Sequence, residues 1–347
     1  MAIHPEAAGP PSGQPSGQPS GMRPCGLQSP QSGPAAPDPA ATVPAATLGG
    51  FGAILLWSTT VAVARSLTEA LGPLTAGVAV FSVSGLLAVG LGGRRQAAWR
   101  SILHQPIPYL AGCGLLFVAY MVLLFLAVGG ARTRQQTLEI GLLNYLWPVM
   151  TVVLSIPLLG RKWGWLLPPG VIFALGGMVL VVTQGGPVSW SGFMANFLTN
   201  PGAYSMALAA AICWALYSNL THRFAPGAKE GAVPLFLPVT ALVLLAAAWS
   251  VDEPRAWSWR AAAEAAFLGT ATYLAYGLWD AAMRRGNVIK IGIASYSTPL
   301  ISTLVSLAYL RVTPGLSLWI GCAALVLGAV MSWAGVSGGG GAKTRRP

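Results

Sequence analysis

Ten apolar stretches alternate with short polar breaks along the chain, at about 47–64, 73–91, 108–129, 137–159, 165–183, 202–222, 232–250, 261–282, 291–310 and 316–336. Each is near the roughly 20 residues a helix needs to cross a bilayer. The breaks hold turn formers such as Gly72-Pro73, Gly92-Gly93, Gly185-Gly186-Pro187, Asn200-Pro201 and Thr313-Pro314. The longest break, about 184–201, divides the stretches five and five. The pattern predicts an all-α polytopic membrane protein with ten transmembrane helices. Residues 1–44 repeat Pro-Ser-Gly-Gln, lack an apolar run and are expected to form a disordered tail. Residues 337–347 read as a flexible, Gly-rich basic tail.

Composition agrees. Of 347 residues, 54% are hydrophobic and 8% charged, against about 25% charged in a soluble domain. So few charges could not cover a soluble surface of this size. The net charge of +11 therefore reads as membrane topology rather than as nucleic-acid binding.

The stretch 137–159 departs from a plain span. It carries Glu139, Asn144, Tyr145, Trp147 and Pro148, and Pro148 is expected to kink it. Polar groups and a broken backbone are tolerated in a membrane where a helix lines a cavity. The pattern recurs 151 positions on: Gly141 matches Gly292, Tyr145 matches Tyr296, Pro148 matches Pro299 and Ser155 matches Ser306. The same offset aligns Gly170 with Gly321 and Gly177 with Gly328. Trp57 corresponds to Trp214, Ala119-Tyr120 to Ala275-Tyr276 and Gly130 to Gly286. The chain thus reads as two repeats, 45–185 and 200–336. Five spans per repeat is odd, so the second enters the membrane inverted, an arrangement found in carriers with a central cavity at the repeat interface.

With the N-terminus in the cytoplasm, Arg94, Arg95, Arg100, Arg161, Lys162, Arg223, Lys229, Arg284, Arg285 and Lys290 fall inside. Arg65, Arg132, Arg134, Arg255, Arg260 and Arg311 fall outside. This bias predicts both termini in the cytoplasm, hence a multi-pass protein of the plasma (bacterial inner) membrane.

Aromatic residues gather on the spans expected to line the cavity: Trp57, Phe117, Tyr120, Tyr145, Trp147, Trp214, Tyr217, Tyr273, Tyr276, Trp279 and Tyr296. They offer broad apolar faces, several with a polar handle. Trp99, Trp163, Trp190, Trp257, Trp259 and Trp319 lie at span ends and read as an interfacial belt. Glu139, near the outer mouth, is either a gate or substrate-ammonium contact or an interfacial carboxylate. Asp280 precedes Arg284 by one turn and predicts a salt bridge at the inner end of its span. No carboxylate sits mid-span, which favours facilitated over proton-driven movement.

Nothing points to catalysis. His4, His104 and His222 form no metal pattern, and the four cysteines lack metal or disulfide spacing. The Gly335–Gly339 match to Gly-x-Ser-x-Gly lies in a helix end rather than a strand–turn–helix. No cofactor, metal or nucleic-acid partner is expected, and a monomer is.

Leu55-Leu56-Trp57-Ser58-Thr59, Glu139 to Gly141, Asn144-Tyr145-Leu146-Trp147-Pro148, Gly286-Asn287-Val288 and Ser295-Tyr296 ahead of Thr298-Pro299 resemble the EamA-like drug/metabolite transporters. Within these, they resemble the YddG-type aromatic amino-acid exporters. The resemblance covers about 45–336. It implies export of amino acids, aromatic ones preferred, by alternating access through a cavity shared by both halves. Other small metabolites or drugs are the alternative cargo. Carried over, it points to Tyr145, Trp147 and Trp214, joined by Tyr120, Asn144, Tyr276, Tyr296 and Trp57 as substrate-binding candidates, with Pro148, Pro299 and Glu139 as kink or gating residues. The long N-terminal tail and Met121 beside Tyr120 depart from the pattern.

Overall fold

The structure, a computed structural model, describes residues 39–93, 96–183, 190–310 and 315–338. Most of the predicted N-terminal tail, Arg94, Arg95, the 184–189 connector, Arg311 and the basic C-terminal tail lie outside the described residues. Residues 39–44, assigned to the tail, instead begin the first helix.

The described residues contain no strand. Helix α1 (Pro39–Leu71) bends by 51° between Thr60 and Val63. It is followed by α2 (Pro73–Gly93) and the short amphipathic α3 (Gln96–Leu103). A π-helical turn, Pro108–Cys113, runs into α4 (Gly114–Gly129). Next come α5 (Arg134–Asn144), α6 (Trp147–Leu159), α7 (Leu167–Thr183) and α8 (Trp190–Thr199). The remaining helices are α9 (Pro201–Phe224), α10 (Val233–Trp249), α11 (Trp259–Arg285), α12 (Val288–Ala294), α13 (Thr298–Leu310) and α14 (Leu316–Gly338).

Local chemistry sets the boundaries. Thr133, Ser258 and Asn287 cap α5, α11 and α12 by accepting from the third amide ahead, at 3.1, 3.1 and 3.0 Å. Gly160, at φ 64°, ends α6 in the left-handed conformation.

All ten apolar stretches fall on helices. Six segments are long and apolar enough to cross a membrane: Pro73–Leu91, Pro108–Gly129, Gln135–Leu159, Pro201–Phe224, Val288–Val305 and Leu316–Val336. The bent α1 makes a seventh, and Leu167–Thr183 and Val233–Trp249 are shorter apolar helices. Helix α11 is 27 residues long. Leu86, Leu115, Ile172, Leu242 and Val326 are exposed, an outward apolar surface suited to lipid. Trp163, Trp190, Trp257, Trp259 and Trp319 are exposed at span ends, as a belt requires. The connector after α7 holds a helix the sequence reading missed. On α8, Trp190, Met194 and Leu198 are exposed, while Phe193 and Phe197 pack on Tyr204.

In both proline-bearing spans the α-helix is interrupted by a short turn, while each still runs as one span. The first divides at Tyr145–Leu146, between α5 and α6. The second divides at a 3₁₀ turn, Ser295–Ser297, between α12 and α13. Pro148 and Pro299 stand in the first turn of the following helix, where a missing N–H costs little.

Helix contacts come in matched sets. Helix α9 packs on α4, α5 and α6, and α1 packs on α11, α12 and α13. Helix α4 packs on α10, and α11 on α2. Helices α2 and α10 pair, as do α7 and α14, and both pairs run antiparallel: Gly77 meets Leu244 and Gly85 meets Pro238, while Gly170 meets Ser332 and Gly177 meets Leu325. Between α7 and α14 the backbones nearly touch. A Cβ on Gly170 would lie 2.6 Å from the Ser332 nitrogen, and one on Gly177 2.5 Å from that of Leu325. Backbone cannot yield locally, so Gly170→Leu or Gly177→Leu should force α7 and α14 apart and cost about 1–3 kcal/mol. Thermal unfolding of the purified protein in detergent should show this as a lowered Tm.

Candidate functional site

One cavity takes in residues of the first break and the start of α13, the helix that follows the second break. Helix α1 brings Trp57, α4 Tyr120, the α5 break Asn144 and Tyr145, and α6 Trp147. Helices α9, α11 and α13 add Trp214, Tyr276, Thr298 and Ser302. The cavity is about 140 Å³. Pro148 has no N–H to give the Asn144 carbonyl four residues back, so the helix ladder is interrupted where Asn144 and Tyr145 reach the cavity.

The walls are an aromatic box centred on Trp57. Its ring lies 5.6 Å from Trp214, 6.3 Å from Trp147 and 5.3 Å from Tyr276. Tyr120 lies 4.8 Å from Trp214. Behind them Trp279 contacts Trp57, Trp147 and Trp214 at 5.2, 5.4 and 5.8 Å, and its Nε1 donates to Ser218 Oγ at 3.2 Å. Edge-to-face and tilted pairs at these distances fix ring orientations beyond what burial alone would do. Two side-chain bonds hold the broken helices on the box. Ser58 Oγ donates to the Ile54 carbonyl at 2.8 Å and reaches the Thr298 carbonyl at 3.4 Å. Asn219 Nδ2 donates to the Thr151 carbonyl at 3.0 Å.

Among the described residues, no acidic or basic side chain lines this cavity. Three polar atoms in its wall lack a protein partner: Trp57 Nε1, Asn144 Oδ1 and Thr298 Oγ1. Buried polar atoms are nearly always paired, so a donor, an acceptor and a hydroxyl left open in one small space form a set for a polar ligand head.

Seven of the eight predicted binding residues line the cavity: Trp57, Tyr120, Asn144, Tyr145, Trp147, Trp214 and Tyr276. Tyr296, the repeat partner of Tyr145, does not. It packs with Val149, Leu167 and Leu325 and borders a separate apolar groove with Phe51 and Trp333. Thr298 and Ser302 were missed by sequence reading, although Thr298 stands directly before the matched Pro299. Glu139 is also outside the cavity. It is 5% exposed and held by neutral donors: Gln135 Nε2 at 3.0 Å, Asn196 Nδ2 at 3.2 Å and the Tyr204 hydroxyl. These bonds tie α5 to α8 and α9. Asp280 and Arg284 form the expected salt bridge, at 2.8 Å and almost wholly buried.

An apolar helical chain whose broken membrane helices enclose an uncharged, aromatic-walled cavity is built as a membrane carrier for small molecules. The comparisons narrow this. The EamA-like transporter family matches residues 202–334, nearly the whole predicted second repeat. The proteins named aromatic amino acid exporter YddG from Salmonella typhimurium and Escherichia coli are each 32% identical over 289 residues, 83% of this chain and 96% of each relative. The one from Ancylobacter novellus is 35% identical over 294 residues, with the same coverage. One crystal structure, 30% identical, superposes with a TM-score of 0.70 over 85% of this chain and 98% of the other. This chain belongs to the EamA-like transporter family.

Tyr204→Phe should leave Glu139 buried with one donor fewer, a loss of about 1–3 kcal/mol. A lowered Tm with unchanged substrate affinity would match a carboxylate that fastens helices. A shifted affinity with unchanged Tm would place Glu139 in the transport path.

Proposed function

We propose that this protein exports amino acids from the cytoplasm, with aromatic ones preferred, by alternating access through the aromatic cavity. The observation that carries the reading is the cavity wall. Trp57, Tyr120, Trp147, Trp214 and Tyr276 offer flat apolar faces to a side chain, while Trp57 Nε1, Asn144 Oδ1 and Thr298 Oγ1 stand unpaired. A zwitterion suits this set. Its ammonium can donate to Asn144 Oδ1, and its carboxylate can accept from Trp57 Nε1 and the Thr298 hydroxyl. The absence of Lys and Arg from the wall argues against phosphorylated cargo. The names of the relatives point the same way.

The architecture proposed is ten transmembrane helices in two inverted repeats, 45–185 and 200–336. Exchange the repeats and the contact sets map onto each other: α4–α9 becomes α11–α1, α6–α9 becomes α13–α1, and α4–α10 becomes α11–α2. Helices α2 and α7 pair with their own counterparts, α10 and α14, and run antiparallel to them. A two-fold axis in the membrane plane has this property. Gly170 against Gly328 and Gly321 against Gly177 are one contact seen twice. The basic residues at the end where α9 and α11 finish, Arg223, Lys229, Arg284, Arg285 and Lys290, support placing that end and both termini in the cytoplasm. Within this scheme Tyr145, Trp147, Trp214, Tyr120, Asn144, Tyr276 and Trp57 bind substrate, while the breaks before Pro148 and Pro299 are hinges. A single chain suffices, because the cavity is walled entirely by its own helices.

Proteoliposomes containing the protein should show phenylalanine and tryptophan counterflow, and preloaded cells should lose both faster on expression. Trp214→Ala should weaken transport affinity about tenfold, as expected for an aromatic contact plus its buried area. Asn144→Leu should do so for all amino acids alike, since it removes the ammonium acceptor. No flux of any amino acid from folded protein would reject the assignment.

A further inference from the structure

A second buried polar cluster lies one helical turn beyond the cavity, at the end where α9 and α11 finish and α4 and α10 begin. Asp280 and Arg284 are 1% and 4% exposed and paired at 2.8 Å. The Tyr109 and Tyr217 hydroxyls donate to Asp280 Oδ1 at 2.8 and 3.0 Å. Tyr109 in turn accepts from the Ala232 amide at 2.9 Å. Arg284 Nη1 donates to the Ala228 carbonyl, and the Arg284 carbonyl accepts from the Gly227 amide at 2.8 Å. Gly231 passes so close that a Cβ there would lie 3.0 Å from Arg284 Cζ.

The cluster sits below the cavity on three helices. On α11 the cavity residue Tyr276 precedes Asp280 by four residues, about 6 Å along the axis. On α9 Trp214 precedes Tyr217. Before α4, Tyr109 lies toward the same end from Tyr120. The cluster thus joins the α4–α9 pair to α11 of the α1–α11 pair and clamps the α9–α10 loop over the junction.

At the matched positions of the other repeat the cluster has no counterpart. Under the repeat offsets that match Tyr120 to Tyr276 and Trp57 to Trp214, Asp280 corresponds to Leu124, Arg284 to Val128, Tyr217 to Thr60 and Tyr109 to Ala265. An apolar or small residue or a lone hydroxyl stands at each position. The other end is fastened by different residues at unmatched positions, Glu139 with Tyr204 and Asn196, and Ser66 with Glu264 at 2.9 Å, so this buried ion pair with its two tyrosines belongs to one end.

We propose that Asp280, Arg284, Tyr109 and Tyr217 are the gating residues of the cytoplasmic end: they hold it shut in the conformation seen here, and their separation opens the cavity inward. The inference rests on the alternating-access reading. Breaking a buried ion pair leaves a charge without its partner, so the bolt is strong while dry and releases once water enters.

Cys113 reports on it. It is fully buried, one turn after Tyr109. The test uses full-length protein carrying Cys113 alone, in inside-out vesicles, with a membrane-impermeant maleimide. A second version carries Cys322 alone, on α14 away from the cluster. Asp280→Asn should label at Cys113 about tenfold faster than the parent, the population shift expected when a charge-assisted contact is lost, with Cys322 unchanged. Where Asp280→Asn does not accumulate folded protein, Tyr109→Phe with Tyr217→Phe keeps the ion pair and decides the matter. Unchanged labelling at Cys113 in folded variants, or equal rises at both cysteines, would overturn the proposal. Labelling needs no substrate, so this result stands apart from the identity of the cargo.

Discussion

Hydrocarbon offers no hydrogen bonds, so a backbone amide or carbonyl left open inside a membrane is expensive. That constraint organises this protein. A cavity able to hold a polar solute needs interrupted helices, and interrupted helices survive only where other helices shield them. The breaks at Tyr145–Leu146 and Ser295–Ser297 are therefore half-buried to buried, beside helices that pack on α9 and α1, and side chains on those two helices fasten them. Asn219 bonds the Thr151 carbonyl past the first break, and Ser58 reaches the Thr298 carbonyl past the second. The proline in each half sits where its missing donor does least harm to the helix that follows.

The same economy explains the walls. Charged groups in the cavity would need partners in a dry site, and their desolvation would be costly. Aromatic rings supply large contact area with few rotatable bonds, and tilted packing around Trp57 keeps the box open. The open polar atoms of the wall, Trp57 Nε1, Asn144 Oδ1 and Thr298 Oγ1, are all on neutral side chains. For the zwitterionic cargo proposed above, an uncharged site of this kind avoids the desolvation cost of a charged clamp.

Much of this was legible in the chain. All ten apolar runs fall on helices, and six segments, with the bent α1 as a seventh, are long and apolar enough to cross a bilayer. The Tyr-x-x-Pro pair located the two breaks. Seven binding candidates proved to share one cavity, because aromatic residues deep in several spans have few other reasons to be there. The failures are instructive. Tyr296 was placed in the cavity by analogy with Tyr145, but in its half the break turns the ring into the packing beside Val149 and Leu325. Glu139 stood open between a gate and an interfacial carboxylate, because two of the donors that hold it, Tyr204 and Asn196, lie more than fifty positions away in sequence. Helix α8 was hidden inside a connector, and Thr298 looked like any small polar residue.

On the proposed two-repeat reading, the different placing of Tyr145 and Tyr296 and the unmatched cluster at Asp280 have a common origin. A duplicated chain with perfect symmetry would present the same face to both sides of the membrane and would have no preferred state. A transporter needs two arrangements close in free energy, with one resting shape. On that reading small departures from symmetry supply the bias: a tyrosine that faces the cavity in one half and the core in the other, and a charged pair whose counterparts are Leu124 and Val128. The scaffold of matched helix contacts makes both arrangements possible. The few residues that break the match choose between them, which is why a substitution among them should alter the resting conformation more than one of equal size elsewhere in the bundle.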